Sequence, residues 1–353
     1  MPSVFQPANI TFNGNEIKSL SQAIFQETFK KPDIQLFHTV VEGIKAKQQI
    51  AILGRFGMIG KKTAGCAPAS QGNLITSTEK FWNPETISVR DETCWDDLKA
   101  SFFVWSTQNG IDVADLTKSE FAEFLMEVYP DAIKEAVYRI AWFGDTAADT
   151  IANGGTLKNG TDKTFFNILN GFWKQLKTIA TNDTTKRVTI TENANASYAT
   201  QVLGSGAALT YLRKAYEGAD KRLKSNPNAC FILSDSMIDN YQTYLESQVN
   251  NTQGFMYIEN GIAKFQYRGI PVYRFDFLDR YSLAYYDNGT KWTDAPHRLI
   301  MTTKENLQVG VDSVGALEEL DMFYDKPSKK TYVDAMFKLD AKVVLDYAVM
   351  VGY

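Results

Sequence analysis

The sequence predicts an α+β fold in two lobes, and three observations lead there. The last third, from Leu203 to Tyr353, reads as helix, strand, helix, hairpin and strand, then as a long β ribbon folded twice. One long amphipathic helix stands alone near the middle, over 117–143. The length of 353 residues exceeds a single average domain, and 44% hydrophobic with 13% aromatic residues is enough to fill a core. Disorder of the whole chain is therefore excluded.

Taken in order, residues 1–35 are polar and weakly periodic, interrupted by Pro2, Pro7 and Pro32, and read as an arm lying on something else, with a short helix near Ile17–Phe29. Gln48–Ile59 (QQIAILGRFGMI) has β character, the turn-rich KKTAGCAPASQGN follows, and extended segments resume near Ile87–Arg90 and Ala100–Thr107. A glycine-punctuated excursion between extended segments predicts a long hairpin projecting from the body. Thr117-Lys118-Ser119-Glu120 is a capping box. Behind it Phe121, Phe124, Leu125, Val128, Ala132, Ala136, Val137 and Ile140 give one apolar face up to Gly144. Such a strut is about 25 residues and ~38 Å long, with Pro130 expected to kink it.

After the loop Ile151–Lys163 a second helix is expected over Phe165–Ala180, with Phe166, Leu169, Trp173 and Leu176 on one side. Polar Thr181–Asn195 holds a short strand and marks the passage to the second lobe. There Gly206–Leu223 reads as a helix, Ala229–Leu233 as a strand, and Ser234 or Asp235 as the cap of a helix through Leu245. Ala263–Tyr267 pairs with Ile270–Phe275 across Arg268-Gly269, and His297–Met301 is a strand. Thr303–Leu307 makes one helical turn and Gln308–Asp312 is extended. Leu317–Tyr324 and Thr331–Leu339 flank a turn, and Lys342–Val349 returns after Asp340.

Chemistry-bearing patterns are sparse. Gly54-x-x-Gly57-x-x-Gly60-Lys61-Lys62-Thr63 has one residue too many, and a second lysine, for a phosphate loop, so hairpin glycines explain it better. The two histidines, His38 and His297, have no local triad motif, and with the scattered Cys66, Cys94 and Cys230 they make no four-ligand metal cluster. Ser234-Asp235-Ser236 lacks the glycines of a nucleophile elbow and reads as a helix cap. Asp96-Asp97 and Glu318-Glu319 are adjacent pairs whose side chains diverge on either a strand or a helix. No catalytic, cofactor-binding or metal residue is expected, and the three cysteines read as reduced thiols. Sequons at Asn9, Asn159, Asn182, Asn195, Asn250 and Asn288 read as chance in a chain that opens without a signal peptide. No run of about 18 apolar residues suggests a membrane span. A net charge of −4 argues against a whole surface built to hold phosphates.

The order of these elements resembles a tailed-phage major capsid protein. Phe231-Ile232-Leu233-Ser234-Asp235-Ser236, then Tyr267-Arg268-Gly269-Ile270-Pro271-Val272, then Thr302 to Asp312 (TTKENLQVGVD) and the closing Tyr324-Asp325 hairpin carry the likeness. It covers most of residues 100–353, and the first hundred match in layout only. The resemblance implies the Hong Kong phage-type capsid fold, shared with encapsulins. In it, 1–35 would be the N-terminal arm and 36–100 the extended loop region. Residues 101–184 and 316–353 would be the peripheral domain, with the strut helix and β ribbon, and 185–315 the axial domain. It further implies hexamers and pentamers of many copies that tile an icosahedral shell around double-stranded DNA without sequence-specific binding. Assembly would take place in the bacterial host cytoplasm, with a separate scaffolding protein, a portal and auxiliary capsid proteins as partners. Arg55, Phe56, Lys61, Lys62 and Lys80 fall in the extended-loop region and are the expected assembly contacts. Some relatives join a loop lysine to an asparagine, but no acceptor or catalytic carboxylate matches here, so no cross-link is expected. The two other readings are an encapsulin-like compartment for protein cargo and an α+β enzyme with an unrecognised site.

Overall fold

The computed structural model describes residues 37–44, 46–53, 77–94, 118–247, 257–259, 262–312, 319–325 and 330–353. Strand β1 (Thr39–Val41) leads to β2 (Gln48–Leu53), which pairs antiparallel with β3 (Ser77–Trp82), and β4 (Glu85–Cys94) follows at once. Helix α1 (Lys118–Phe143) has 26 residues and continues through Pro130. Thr117, the expected cap, lies outside the described residues. Of the predicted apolar face, Val137 and Ile140 are buried, whereas Ala132 and Ala136 are not.

The C-terminal end of α1 enters the core, and two glycines make that possible. An added Cβ at Gly144 would stand 2.5 Å from the Ile140 carbonyl oxygen and 2.6 Å from that of Leu169. At Gly171 it would stand 2.6 Å from the Ala141 carbonyl oxygen. The main chains touch directly, the Gly171 N–H donating to the Gly144 carbonyl at 2.8 Å. Helix α2 (Phe172–Asn182) starts only after this contact, later than the predicted Phe165. Phe165 instead ends a 3-10 turn, Lys163–Phe165, capped by the Asp162 side chain, which accepts from the Thr164 N–H.

Strand β5 (Arg187–Val188) and helix α3 (Ala207–Gly218) come next. The helix stops short of the predicted Leu223 because Asp220 caps a separate turn, Lys221–Lys224, accepting from the Arg222 N–H at 2.8 Å. Strand β6 (Ala229–Leu233), helix α4 (Asp235–Glu246), and strands β7 (Tyr257–Glu259), β8 (Ile262–Tyr267) and β9 (Ile270–Arg274) follow. The β8–β9 turn puts Arg268 at φ 52° and Gly269 at φ 80°, the left-handed pair that a two-residue hairpin requires. Helix α5 (Asp276–Tyr285) was not anticipated. The chain closes with β10 (Leu299–Thr303), β11 (Leu307–Val311), β12 (Glu319–Asp325), β13 (Lys330–Val343) and β14 (Met350–Gly352).

Two larger sheets organise these strands. One runs β1-β11-β13-β12, with β4 along the other edge of β13. The second runs β5-β14-β10-β6-β9-β8-β7. Residues 316–353, expected as one unit with the strut, divide between them: β12 and β13 stay in the first sheet, and β14 pairs with β10 and β5 in the second. Strand β13 also passes unbroken through Asp340, where a turn was expected.

The seven-stranded sheet is a wall between two hydrophobic cores. Alternate residues of β6 sort to opposite sides, Ala229, Phe231 and Leu233 to the core under α3 and α4, Cys230 and Ile232 to the other. That explains why β6 reads as an uninterrupted apolar run. The second core is shared, because α1, α2, α5, β11 and β13 also pack into it.

Candidate assembly surface

Strands β2 and β3 form a two-stranded ribbon that, among the described residues, is joined to neither larger sheet. At six residues each, the strands extend ~20 Å. A two-stranded ribbon is marginal alone in water, so its root matters. Trp82, at the end of β3, is 4% exposed and lies on Gly310 of β11. A Cβ there would meet the Trp82 ring at 2.8 Å and Ile44 at 3.3 Å. Beside it the Asn83 N–H donates to Asp340 Oδ2 at 2.7 Å. Asp340 is 2% exposed, and burial pushes its carboxyl above the usual range, opposed by the Asn83 amide and Lys342. Lys80 Nζ donates to the Val343 carbonyl at 2.5 Å and to Asp346 Oδ1 at 2.6 Å. The ribbon is thus fastened at one end to β11 and β13. At the same root end, between Lys80 and Trp82, Phe81 is 42% exposed with Lys47 Nζ 5.0 Å from its ring centre.

Of the residues expected to make assembly contacts, Arg55, Phe56, Lys61 and Lys62 lie outside the described residues, in the 54–76 segment that joins β2 to β3. Lys80 is described, and its ammonium is held by its own chain at the ribbon root. Asn83, Asp340 and Asp346, which complete this root, were not singled out by the sequence. Their partners stand more than 250 positions away along the chain.

The groups weighed for chemistry are found in the cores and joints. His38 is 2% exposed, accepts from the Trp142 indole N–H at 2.7 Å and stacks on Phe172. His297 Nδ1 stands 2.7 Å from Ser236 Oγ, and its Nε2 stands 2.5 Å from the Gln201 carbonyl. A carbonyl only accepts, so Nε2 carries the proton and Nδ1 accepts from Ser236. Burial holds the imidazole below its usual range, hence neutral. This pair, 61 positions apart, was not foreseen. It ties α4 to the start of β10 and to the Gln201 loop, with a main-chain oxygen where a triad has its carboxylate. Ser234 caps α4 by position only; its hydroxyl accepts from the Arg298 N–H at 3.0 Å. Cys230 is buried and its thiol is pushed up to about 12 by desolvation. Cys66 lies outside the described residues. Among the described residues no group of three or more His, Cys, Asp or Glu is placed to hold a metal.

The strongest electrostatic feature is Arg298, 1% exposed between α2, α5 and β10. It donates to Asp294 Oδ2 at 2.9 Å and to the Leu278 carbonyl at 3.0 Å, and its guanidinium lies 4.7 Å from the Trp173 ring centre. Trp173 donates to the same carboxylate at 3.0 Å, and Lys177 bonds its other oxygen. Burial alone would raise the Asp294 carboxyl, but Lys177 and then Arg298 outweigh it and hold it at about 2. This network joins elements rather than offering a reactive group.

No protein-family model and no curated protein matches the sequence. The fold does match solved structures. A chain of the satellite phage P4 procapsid, solved with the size determination (Sid) protein, aligns at TM-score 0.59 and 10% identity over 97% of this chain and 91% of that one. A chain of Mycobacterium phage Ogopogo aligns at TM-score 0.48 and 13% identity, covering 90% and 89%. The holo-SrpI encapsulin of Synechococcus elongatus PCC 7942 aligns at TM-score 0.48 and 9% identity, covering 100% and 90%. The similarity to the P4 procapsid chain carries the assignment: this chain has the Hong Kong phage-type capsid fold.

Proposed function

We propose that this chain is the major capsid protein of a tailed phage, assembling as hexamers and pentamers into the icosahedral shell around packaged double-stranded DNA. The observation that carries the reading is a capsid fold spanning nearly the whole chain, in which a two-stranded ribbon pairs with neither larger sheet among the described residues. A ribbon with no second neighbour on either strand, among the described residues, leaves backbone edges and Phe81 for another copy to cover. Arg55, Phe56, Lys61 and Lys62, in the segment beyond it, are the contacts assigned to a neighbouring subunit, and Lys80 sets the ribbon's direction from its root. A scaffolding protein, a portal and auxiliary capsid proteins are the further partners, the virion capsid is the location, and the bacterial cytoplasm is the place of assembly.

The register supplies a clean test. Leu53 pairs with Ser77, so residues 54–76 can be replaced by a two-residue Asn-Gly turn that keeps the ribbon's pairing. Electron microscopy and sedimentation of the purified native protein, with scaffold supplied, are expected to give closed particles. The shortened variant is expected to keep its unfolding transition and give none. Closed shells from the shortened variant would overturn the loop's role. Native particles that enclose protein and no nucleic acid would point to a nanocompartment, and a strictly monomeric native protein would overturn the shell reading.

A further inference from the structure

Positive charge is distributed unevenly over this acidic chain. Most buried or half-buried cations have a carboxylate partner, as Lys80 has Asp346, Lys174 has Asp145, Arg274 has Asp235 and Arg298 has Asp294. One stretch differs. Arg213 and Lys214 on α3, Lys221 and Lys224 on the following turn, and Arg268 at the β8–β9 turn have no carboxylate within ion-pair distance among the described residues. All but Lys224 are exposed. The two carboxylates of the same stretch are Glu217 and Asp220, and Asp220 is already held by Arg222 at 2.9 Å.

Tyr216 brings the two ends of this row together. The Lys224 ammonium lies 5.3 Å and the Arg268 guanidinium 4.8 Å from its ring centre. The ring also meets Tyr267 edge-on at 6.3 Å. Buried Ala208, Tyr211, Leu212 and Ala215 turn the opposite side of α3 into the core, so the charged side faces solvent. The helix alone is 12 residues, or ~18 Å, long.

We propose that this face of α3, with the turn after it and the β8–β9 turn, binds the phosphodiester backbone of nucleic acid without reading bases. Cations without a carboxylate partner over such a length match a duplex, which offers about ten phosphate charges in ~18 Å; of the five, Lys224 also donates to the Glu217 carbonyl at 2.9 Å. A single carboxylate on a folded partner would satisfy only one of them. Tyr216 is engaged by two cations and a neighbouring ring, so it offers no open platform on which a base would stack. Binding is therefore electrostatic and indifferent to sequence. The net charge of −4 conceals this, because the negative charge lies elsewhere. The inference goes beyond the shell reading and does not depend on it, since the face belongs to the single chain.

The test uses the full-length protein, freed of particles by sedimentation, and a fluorescent 20-base-pair duplex whose anisotropy is followed from 50 to 200 mM salt. The variant R213Q/K214Q/K221Q is compared with K158Q/K291Q/K304Q, which removes equal charge elsewhere. Native protein is expected to bind at 50 mM salt. The first variant is expected to bind more than tenfold more weakly there, with a log–log salt slope shallower by about 2–3. The second variant is expected to keep the native slope, and a scrambled duplex to bind equally well. Arg268→Asn, compatible with the left-handed backbone, is expected to flatten the slope by about 1, which keeps the test decisive should the triple variant fold poorly. Absence of native binding at 50 mM salt, equal losses in both triple variants, or tighter binding of a 20-residue poly-glutamate than of the duplex would each overturn the proposal. The last outcome would mark the face as a dock for an acidic protein.

Discussion

Asp279 is expected to make this protein less stable as pH rises from about 4 towards neutrality, the reverse of most carboxylates. Its side chain lies under the N-terminus of α4 and accepts from the Asp235 N–H at 2.5 Å. Burial is the main cause that raises it, and the nearby Asp235 carboxylate adds to that. The same N–H, together with Arg298 and Arg274, pulls the other way, and the outcome is about 7 against an ordinary 3.8. A folded-state value above the unfolded one means that the folded chain holds the proton more tightly. The contribution is therefore complete below about 3.8 and is lost as pH climbs to about 7. At ~1.4 kcal/mol per pH unit, that interval amounts to at most about 4 kcal/mol. Asp279→Asn keeps an acceptor for the Asp235 N–H and removes the charge. Denaturant unfolding of both proteins across pH 4.5–8 is the assay. The variant's advantage is expected to grow with pH by about 1–4 kcal/mol and to level off above neutrality. A difference that stays flat from pH 4.5 to 8, or shrinks, would refute the reasoning.

Three further outcomes follow from the same packing. Asp294→Asn leaves Arg298 buried without its counter-charge and is expected to cost about 3–5 kcal/mol in denaturant unfolding. In the native protein Asp294, held at about 2, contributes stability that is lost as pH falls from about 4 towards 2, and the variant should lack that part of the acid limb. Gly310→Val drives a side chain into Trp82 and is expected to cost about 1–3 kcal/mol and to abolish particle formation. Trp82→Ala in the same chain should recover part of the stability but not the particles, as double-mutant unfolding and microscopy would reveal. In a C66S/C94S background, Cys230 should react with a thiol reagent only at the rate of opening of the β6 core, and rapid labelling of the folded protein at pH 8 would contradict its burial.

Strong local periodicity was legible in the sequence, and partnership at a distance was not. The face of α1 near Val137 and Ile140 and the apolar run of β6 announced themselves, as did the Arg268-Gly269 hairpin, because each is fixed by neighbours in sequence. Helix α5 was passed over although Phe277, Tyr281 and Tyr285 recur every four residues, their rings tilted against one another at 4.3 and 5.2 Å between centres. Short and rich in aromatic residues, it has weak intrinsic preference, and packing against α1 settles it. The chain was expected to return after Asp340, whereas β13 runs on through it. What holds it there, the Asn83 N–H, is 257 positions away. The same distance hid the pairing of Ser236 with His297 and the roles of Asn83 and Asp346 at the ribbon root. The basic face was hidden by averaging, since net charge sums over surfaces that never meet.

The ribbon root also imposes an order in time on the newly made chain. Lys80 and Asn83 are translated 257 to 266 residues before the groups that hold them, Asp340, Val343 and Asp346. At 5–20 residues per second the ribbon waits roughly 10–50 s on the ribosome before its direction is set. Until then Trp82 has its seat on Gly310, but the Lys80 and Asn83 bonds are unmade. A neighbouring subunit would therefore meet a fully fastened ribbon only after Asp340, Val343 and Asp346 have been made.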